Sequence, residues 1–246
     1  HCISSAASDV YKRQAYMDSI PMVVISGQVP LSLIGTDGFQ EIDAVGISRP
    51  CTKHNYLVKK LEDLPMILKE AFYIAKSGRP GPVLVDIPKD ITAEIGEFVY
   101  PAQINLPTYK PSYKGNDRQI KKAADAIKKA KKPLLYIGGG AVLSNAAPLI
   151  RELAEKAQIP AVETLMARGV MGAKNPLLLG MLGMHGNYAS NMAMSETDLV
   201  ISLGARFDDR VTGKLSEFAK YADIIHVDID PANICLLYTS PSPRDS

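Results

Sequence analysis

Apolar runs and a helical pattern predict a strand, a helix and a second strand in the first part of the chain. Residues 21–26 (PMVVIS) and 82–87 (PVLVDI) have the length and composition of buried strands. Between them, a helix is predicted to begin after Asp63, with Pro65 in its first turn, and to stop at Gly78. The apolar stripe of this helix consists of Ile67, Leu68, Ala71, Phe72 and Ala75.

The second part of the chain repeats this alternation over a longer stretch. Apolar runs at residues 133–137, 160–164, 199–203 and 224–229 have the pattern of strands, and helical patterns lie between them, one around Ala147–Ala157. Because strands that alternate with helices form parallel sheets, this part predicts a doubly wound α/β fold.

Another helix is predicted after Asn116, which opens the capping-box-like sequence NDRQ. The apolar stripe of this helix consists of Ile120, Ala123, Ala124, Ile127 and Ala130. Six lysines between residues 121 and 132 lie mainly off the stripe, which indicates a solvated helix face and not a nucleic-acid site.

Residue types suited to ligand binding follow the predicted strand ends, where parallel sheets bind their ligands. Gly204 permits a close backbone approach, and after it Arg206, Asp208, Asp209 and Arg210 provide two guanidinium groups and two carboxylates. A solvated, salt-bridged loop is the alternative interpretation of these four charges.

The glycines at residues 138–140 follow a predicted strand and precede a helix, an arrangement that favours an anion, although glycines also serve tight turns. Asp228 and Asp230 end the last apolar run, where a carboxylate accepts hydrogen bonds from a ribose or caps a helix. Together with Thr164 and residues 182–185, these positions follow strand ends. The residues alone therefore predict two α/β domains, the second binding a dinucleotide.

Composition narrows the classes of function. Hydrophobic residues make up 46% of the chain and charged residues 22%, and the net charge of +2 gives no electrostatic case for binding nucleic acid or an anionic membrane. No apolar run reaches the roughly 18 to 20 residues of a membrane span. The three scattered cysteines and four histidines lack the spacing of a disulfide framework or a metal site. We therefore expect a cytoplasmic protein.

The two ends of the chain differ in character from what lies between them. Residues 1–14 and 235–246 resemble translated adaptor or vector sequence, so we expect a non-native leader and a non-native tail and leave both out of the fold prediction. Residues 100–115 contain Pro101, Pro107 and Pro111 without helical or strand periodicity, which predicts an interdomain linker.

Several motifs resemble those of the acetohydroxyacid synthase (acetolactate synthase) catalytic subunits, which are thiamine-diphosphate enzymes. The similar stretches are AYMDSIPMVVISGQVP, IGTDGFQE, SGRPGPVLVDIPKDI, LGMLGMHG, LGARFDDRVTGKL and HVDIDP, and they span nearly all of residues 15–234. The resemblance implies two doubly wound parallel sheets. The first would be the later half of a pyrimidine-binding domain (residues 15–99), and the second a central, Rossmann-like FAD-binding domain (residues 116–234).

The resemblance also implies roles for individual residues. Gln40 and Lys89 resemble active-site residues beside the thiamine ring, with Gln40 a ligand of that cofactor, and Arg210 resembles the arginine that receives the carboxylate of the second 2-oxoacid. The residues that resemble FAD contacts are Arg79, Gly138, Gly139, Gly140, Thr164, Leu165, Leu182, Gly183, Met184, His185, Gly204, Ala205, Arg206, Phe207, Asp208, Asp228 and Ile229. The residues that match positions around the herbicide channel of relatives are Pro30, Gly38, Lys89, Met184, Asp209 and Arg210.

The implied reaction condenses pyruvate with a second pyruvate or with 2-oxobutyrate, after decarboxylation on thiamine diphosphate, in branched-chain amino-acid biosynthesis. FAD in this family is largely structural. The implied partners are a second copy of the chain and a separate regulatory small subunit.

Two of the family's features do not occur in the sequence. These are the cofactor-activating glutamate and the GDG segment that binds Mg²⁺ and diphosphate, the latter in a third domain. We therefore expect this polypeptide alone to be inactive as a synthase. A glyoxylate carboligase, a redox flavoprotein or NAD-dependent module, and a stand-alone FAD- or nucleotide-binding module are the alternatives.

Overall fold

A computed structural model describes residues 11–234 of the 246-residue chain. The described residues divide into two compact units between Ser112 and Tyr113, and this boundary falls inside the predicted linker at residues 100–115. The structure of residues 1–10 and of the predicted tail at residues 235–246 lies outside the described part. No helix within residues 11–234 combines the length and the hydropathy that crossing a membrane requires.

The described part of the first unit forms a three-stranded parallel sheet in the order β1-β3-β2. Its elements in chain order are α1 (residues 11–17), β1 (Met22–Gln28), α2 (Ala44–Ser48), β2 (His54–Leu57), α3 (Leu64–Lys76), β3 (Pro82–Pro88) and α4 (Lys89–Ala93). Short 3₁₀ turns occur at Leu31–Leu33, Arg49–Cys51 and Leu61–Asp63. The sequence pattern did not predict β2.

Burial in this sheet differs from the prediction. The central strand β3 is buried along almost its whole length, as predicted. The prediction that residues 21–26 form a buried strand is wrong in part: β1 forms there, but it lies at the edge of the described sheet and Ile25 is 60% exposed. An apolar run indicates which residues favour a strand, but it does not specify how many neighbouring strands that strand will have.

The long helix α3 follows the predicted span with two corrections. It begins after Asp63, but that side chain makes no capping hydrogen bond. Phe72 does not belong to the buried stripe, since it is 55% exposed, whereas Ile74 is 4% exposed and packs in the core. The buried stripe therefore runs through Ala71, Ile74 and Ala75 at the i, i+3, i+4 spacing of a helix face.

The second unit contains a five-stranded sheet in the order β6-β5-β4-β7-β8, in which all pairs are parallel. Its elements are α5 (Asp117–Lys129), β4 (Pro133–Ile137), α6 (Gly139–Leu143), α7 (Ala147–Ala157), β5 (Ala161–Glu163), β6 (Leu178–Met181), α8 (Tyr188–Glu196), β7 (Leu199–Leu203), α9 (Asp209–Thr212) and β8 (Asp223–Val227). A 3₁₀ turn occurs at Leu165–Ala167. The predicted α/β fold with parallel sheets is confirmed, although β6 was missed.

Strand order determines where this sheet offers a crevice. From β4 the chain adds β5 and β6 on one side and then crosses to add β7 and β8 on the other. The order reverses between β4 and β7, and in open parallel sheets ligands bind outside the carboxyl ends of the strands at such a reversal.

The core of this unit lies on both faces of the sheet, because successive residues of a strand point to opposite faces. Leu135 and Ile137 of β4 pack with Ile150 and Ala154 of α7. Leu134 and Tyr136 belong to the cluster on the other face, which also includes Val200 and Phe207. Both faces of β4 are therefore covered, and its carboxyl end is rigidly placed.

The predicted N-terminal cap of helix α5 is confirmed, whereas its predicted apolar stripe needs correction. Asn116 accepts hydrogen bonds from the backbone N–H groups of Arg118 and Gln119. Ile120 is 57% exposed, whereas Ala126 and Ile127 pack against the core. The lysines between residues 121 and 132 are exposed, as expected for a solvated face.

Candidate functional site

The structure brings the five predicted segments of the second unit to one edge of its sheet. Gly138 directly follows β4, Thr164 follows β5, Leu182 follows β6, Gly204 follows β7 and Asp228 follows β8. Because all five strands are parallel, their carboxyl ends lie at the same edge. We call this the carboxyl edge, and it is the candidate site.

Backbone-to-backbone packing joins the segments after β4 and β7. Gly138 donates its N–H to the carbonyl oxygen of Leu203 at 3.0 Å, and Gly140 donates to that of Gly204 at 3.0 Å. A Cβ on Gly138 would lie 2.2 Å from the Gly204 oxygen, and a Cβ on Gly204, whose φ is +62°, would lie 2.7 Å from the Cα of Gly140. These glycines are therefore needed for the close crossing of two loops, whatever the edge binds.

The segment after β6 reaches the segment after β7, although two strands separate β6 from β7. Met184 donates its N–H to the Arg210 carbonyl at 2.8 Å, and Gly183 has a φ of +100°. The Asn191 side chain accepts from the Gly183 N–H at 3.0 Å and donates to the Gly183 carbonyl at 3.2 Å. Sequence reasoning missed Asn191. The side chains of Met184 and His185 remain exposed.

Thr164 has an unsatisfied polar atom at this edge. Its hydroxyl is buried and finds no hydrogen-bond partner within residues 11–234. The next residue, Leu165, is 72% exposed, and Met166 is also exposed. A buried hydroxyl without a partner beside exposed apolar side chains has the chemistry of a site for a ligand with both polar and apolar parts.

Glu163, a fully buried carboxylate, holds the loop that follows Thr164. It accepts the backbone N–H of Met171 at 2.8 Å and that of Gly169 at 3.4 Å. No sequence pattern indicated this role of Glu163, because the bonds form within a loop whose path depends on the sheet.

The charged segment after β7 has a mixed environment. Ala205 and Phe207 are buried, Arg206 is half-buried and Asp208 is exposed. The guanidinium group of Arg206 makes no hydrogen bond or ion pair with other described residues. Asp209 and Arg210 approach each other at 3.9 Å with their side chains 88% and 70% exposed, a geometry that contributes little to stability.

At the end of β8 the acidic side chains bond locally. Asp228 accepts the backbone N–H of Asp230 at 2.8 Å, and Asp230 accepts that of Ala232 at 3.0 Å. These are turn-forming bonds between a side chain and the backbone two residues later. The other carboxylate oxygen of Asp228 lies 3.9 Å from Nε2 of His226, and Ile229 is partly exposed.

The predicted catalytic residues of the first unit are exposed. Gln40 has a φ of +64° in the segment between β1 and α2, and Lys89 is the first residue of α4. Gln28 donates from Nε2 to the Ile42 carbonyl at 2.8 Å and to Asp86 at 3.0 Å, which anchors the segment after Gln40 to the sheet.

Glu41 further shapes the segment around Gln40. Its carboxylate accepts the backbone N–H groups of Gly35 and Gly38. These two hydrogen bonds lower the pKa of Glu41 below its ordinary value, because they favour the charged form. The segment is thus held by side-chain bonds and not by strand packing.

Arg79 has a structural role within the first unit. Its Nε donates to Oγ of Ser19 at 2.9 Å, and one terminal nitrogen donates to the carbonyl of Tyr16 at 3.2 Å. These contacts tie it to the carboxyl-terminal end of α1, where a cation is favourable. Within residues 11–234, no group of three or more His, Cys, Asp or Glu side chains could hold a metal ion.

Comparison with known proteins gives consistent similarities. Residues 120–240 match the family described as "Thiamine pyrophosphate enzyme, central domain". The chain is 55% identical over 220 residues to the acetolactate synthase of Mycobacterium leprae, and the aligned region covers 89% of this chain and 35% of that protein. It is 50% identical over 231 residues to the acetolactate synthase large subunit of Buchnera aphidicola, and the aligned region covers 93% of this chain and 40% of that protein.

A further relative is the acetolactate synthase isozyme 3 large subunit of Escherichia coli, at 48% identity over 231 residues, covering 93% of this chain and 40% of that protein. The chain thus spans between 35% and 40% of the length of these three curated relatives. The identities confirm the resemblance drawn from the motifs. Residues 120–240 thus match the central domain of thiamine pyrophosphate enzymes, and the chain is a homologue of acetolactate synthase large subunits over most of its own length.

Proposed function

We propose that this chain is part of an acetolactate synthase large subunit and that the carboxyl edge of its second unit binds FAD. The observation that carries the proposal is the convergence of five separately predicted segments at one sheet edge, in a chain about half identical to relatives with that name. The proposed reaction of the whole protein joins pyruvate to a second pyruvate or to 2-oxobutyrate.

The residues at the carboxyl edge fit the chemistry of FAD. The buried Thr164 hydroxyl lacks a partner, and a flavin or ribose supplies polar atoms that could satisfy it. The half-buried guanidinium of Arg206 suits an anionic diphosphate, because its fork of donors matches phosphate oxygens. The exposed side chains of Leu165, Met166 and Met184 suit an apolar ring system.

For thiamine diphosphate, we propose that Gln40 and Lys89 of the first unit lie beside the bound cofactor. Thiamine diphosphate supplies the electron sink for decarboxylation of a 2-oxoacid. In this proposal Gln40 is a ligand of the cofactor, and the exposed guanidinium of Arg210 receives the carboxylate of the second 2-oxoacid.

Because relatives carry the name "large subunit", we further propose that the whole protein works with a separate small subunit and as at least a homodimer. Mixing the whole protein with a candidate small subunit and measuring its mass by light scattering would test this.

A titration of the purified chain with FAD tests the cofactor proposal. Binding to the native state must raise the unfolding free energy, by about 2.7 kcal/mol at a hundredfold excess over the dissociation constant. We expect Arg206→Ala to weaken binding by about tenfold to a hundredfold, the worth of a charged hydrogen bond. Flavin fluorescence and melting temperature provide the two readouts.

The matched control is Arg118→Ala, which removes an exposed arginine from α5, outside the five segments of the carboxyl edge. FAD affinity should not change in this variant. A cooperatively folded chain that fails to bind FAD would contradict the cofactor proposal, and equal losses in both variants would contradict the role of Arg206.

A further inference from the structure

Three side chains donate hydrogen bonds to two neighbouring carbonyl groups in the segment after β7. The Tyr136 hydroxyl donates to the Arg206 carbonyl at 3.1 Å. His226 donates from Nε2 to the Ala205 carbonyl at 2.9 Å, and Ser202 donates its hydroxyl to the same oxygen at 3.3 Å. Because a carbonyl oxygen can only accept, the imidazole must carry its hydrogen on Nε2.

These donors come from three adjacent strands and are buried. Tyr136 lies on β4, Ser202 on β7 and His226 on β8, and the His226 side chain is only 6% exposed. A buried polar group is costly unless it is hydrogen-bonded, and each of these three groups has a backbone carbonyl as its partner. The three donors share one target, the backbone of Ala205 and Arg206, to which each donates a hydrogen bond.

The protonation state of Tyr136 agrees with this role. Burial raises the pKa of Tyr136 well above its ordinary value, and the nearby negative charge of Asp208 raises it further. The hydroxyl therefore keeps its proton and remains a donor to the Arg206 carbonyl.

The residue after Arg206 is anchored by a different kind of contact. The Phe207 ring packs among Tyr136, Phe218 and His226, with ring centroids 5.5, 5.9 and 5.1 Å away. The backbone on both sides of Arg206 is therefore fixed, by hydrogen bonds before it and by ring packing after it. The Arg206 guanidinium, in contrast, makes no hydrogen bond or ion pair with another described residue.

We propose that Tyr136, Ser202 and His226 are positioning residues that fix the backbone of Arg206 and thereby direct its guanidinium toward an anionic ligand at the carboxyl edge. The ligand part of this proposal rests on the proposed function. None of the three residues needs to touch the ligand, which distinguishes them from the predicted contacts.

The variants Tyr136→Phe and His226→Phe remove a donor and keep an aromatic ring, whereas His226→Gln keeps a side-chain N–H. We expect each phenylalanine variant to weaken FAD binding by about fivefold to tenfold, the worth of one hydrogen bond. His226→Gln should recover most of the loss. In the Arg206→Ala background, His226→Phe should cause no further loss, because the residue it positions is gone.

The matched control is Ile201→Val, one residue before Ser202 on β7 but in the cluster on the opposite face. It should lower the unfolding free energy and leave FAD affinity unchanged. If Ile201→Val weakens FAD binding as much as His226→Phe does, or if His226→Phe and Arg206→Ala weaken it additively, the positioning role is wrong.

Hydrogen exchange tests the positioning role independently of FAD binding. If the chain binds no FAD, that result contradicts the proposed function alone, and the hydrogen-exchange result still decides the positioning role. The amides of residues 204–212 should exchange at least about fivefold faster in His226→Phe and Tyr136→Phe than in the unmodified chain, because bonds that hold this backbone are lost. Residues 161–163 of β5 should not change. Unchanged exchange in residues 204–212, or equal acceleration in both segments, would overturn the proposal.

Discussion

The two parallel sheets of this protein place their candidate residues by different means. Among the described strands of the first unit, only β3 is buried along almost its whole length, and Gln40 and Lys89 lie on exposed segments. In the second unit β4, β5 and β7 are all buried, and the predicted residues follow the strand ends directly. Side-chain hydrogen bonds shape the first set of segments and backbone packing the second. The second site should therefore tolerate much less change in its glycines than the first.

The largest effect is expected from Gly138→Ala in the second unit. The new Cβ would lie 2.2 Å from the Gly204 oxygen and 2.3 Å from the Ala205 Cα. These are backbone atoms in the loop crossing after β4 and β7, so they cannot easily move away. We expect the unfolding free energy of the unit to fall by about 3 kcal/mol, at the upper end for overpacking. Urea denaturation followed by circular dichroism measures this.

The control for that substitution is Gly27→Ala in β1 of the first unit, where a Cβ would meet nothing within 4 Å. Its free energy of unfolding should change by no more than about 0.5 kcal/mol. If Gly138→Ala and Gly27→Ala lower the free energy of unfolding by similar amounts, the two units do not differ in their tolerance of glycine substitution.

A smaller effect should separate the two helix caps. Asn116 accepts two backbone hydrogen bonds at the start of α5, whereas Asp63 makes none at the start of α3. Asn116→Ala should cost about 1 kcal/mol of unfolding free energy, the usual worth of a cap. Asp63→Ala should cost clearly less, and a loss as large as that of Asn116→Ala would contradict the observed geometry. Thermal unfolding of both variants provides the measurement.

The smallest effects concern two carboxylates that accept backbone N–H groups. In the first unit Glu41 accepts from Gly35 and Gly38, and in the second Asp198 accepts from Lys131 and Lys132. These bonds lower both pKa values below the ordinary 4.5 for Glu and 3.8 for Asp. Each carboxylate therefore stabilises its segment above its ordinary pKa, and the stabilisation is lost as the pH falls through the lowered value.

We expect the amide protection of Gly35 and Gly38 to fall on acidification below pH 4.5, and that of Lys131 and Lys132 to fall on acidification below pH 3.8. Hydrogen exchange corrected for the intrinsic pH dependence of the rate measures both. Glu41→Gln and Asp198→Asn should each abolish the pH dependence in their own segment only. If the pH dependence of amide protection survives in both variants, groups other than Glu41 and Asp198 cause it and the prediction is wrong.

The fold of the second unit was largely predictable because its central strands are continuous apolar runs, as β4 and β7 show. Two strands of four residues escaped prediction: β2 is the largely polar HNYL, and β6 contains Gly180, whose φ is +121°. The burial of β1 was wrongly predicted, because apolar composition does not specify the number of neighbouring strands.

The site was predictable as a set of positions but not as a set of contacts. The rule that ligands bind at strand ends located Gly138, Thr164 and Gly204 correctly at one edge. It could not reveal that Tyr136 bonds to Arg206, 70 residues later, because that contact exists only after the sheet has formed. The roles assigned to Gln40, Lys89 and the FAD contacts remain predictions.

The central place of β4 has a consequence for how the protein is made. Its partner β7 emerges much later, since Lys132 and Asp198, which bond beside the two strands, are 66 residues apart. At roughly 5 to 20 residues per second, a ribosome needs roughly 3 to 13 seconds to synthesise that interval. During this time one apolar edge of β4 has no strand to pair with. We therefore expect nascent chains that stall before residue 199 to depend on chaperones, whereas chains that have released β8 do not.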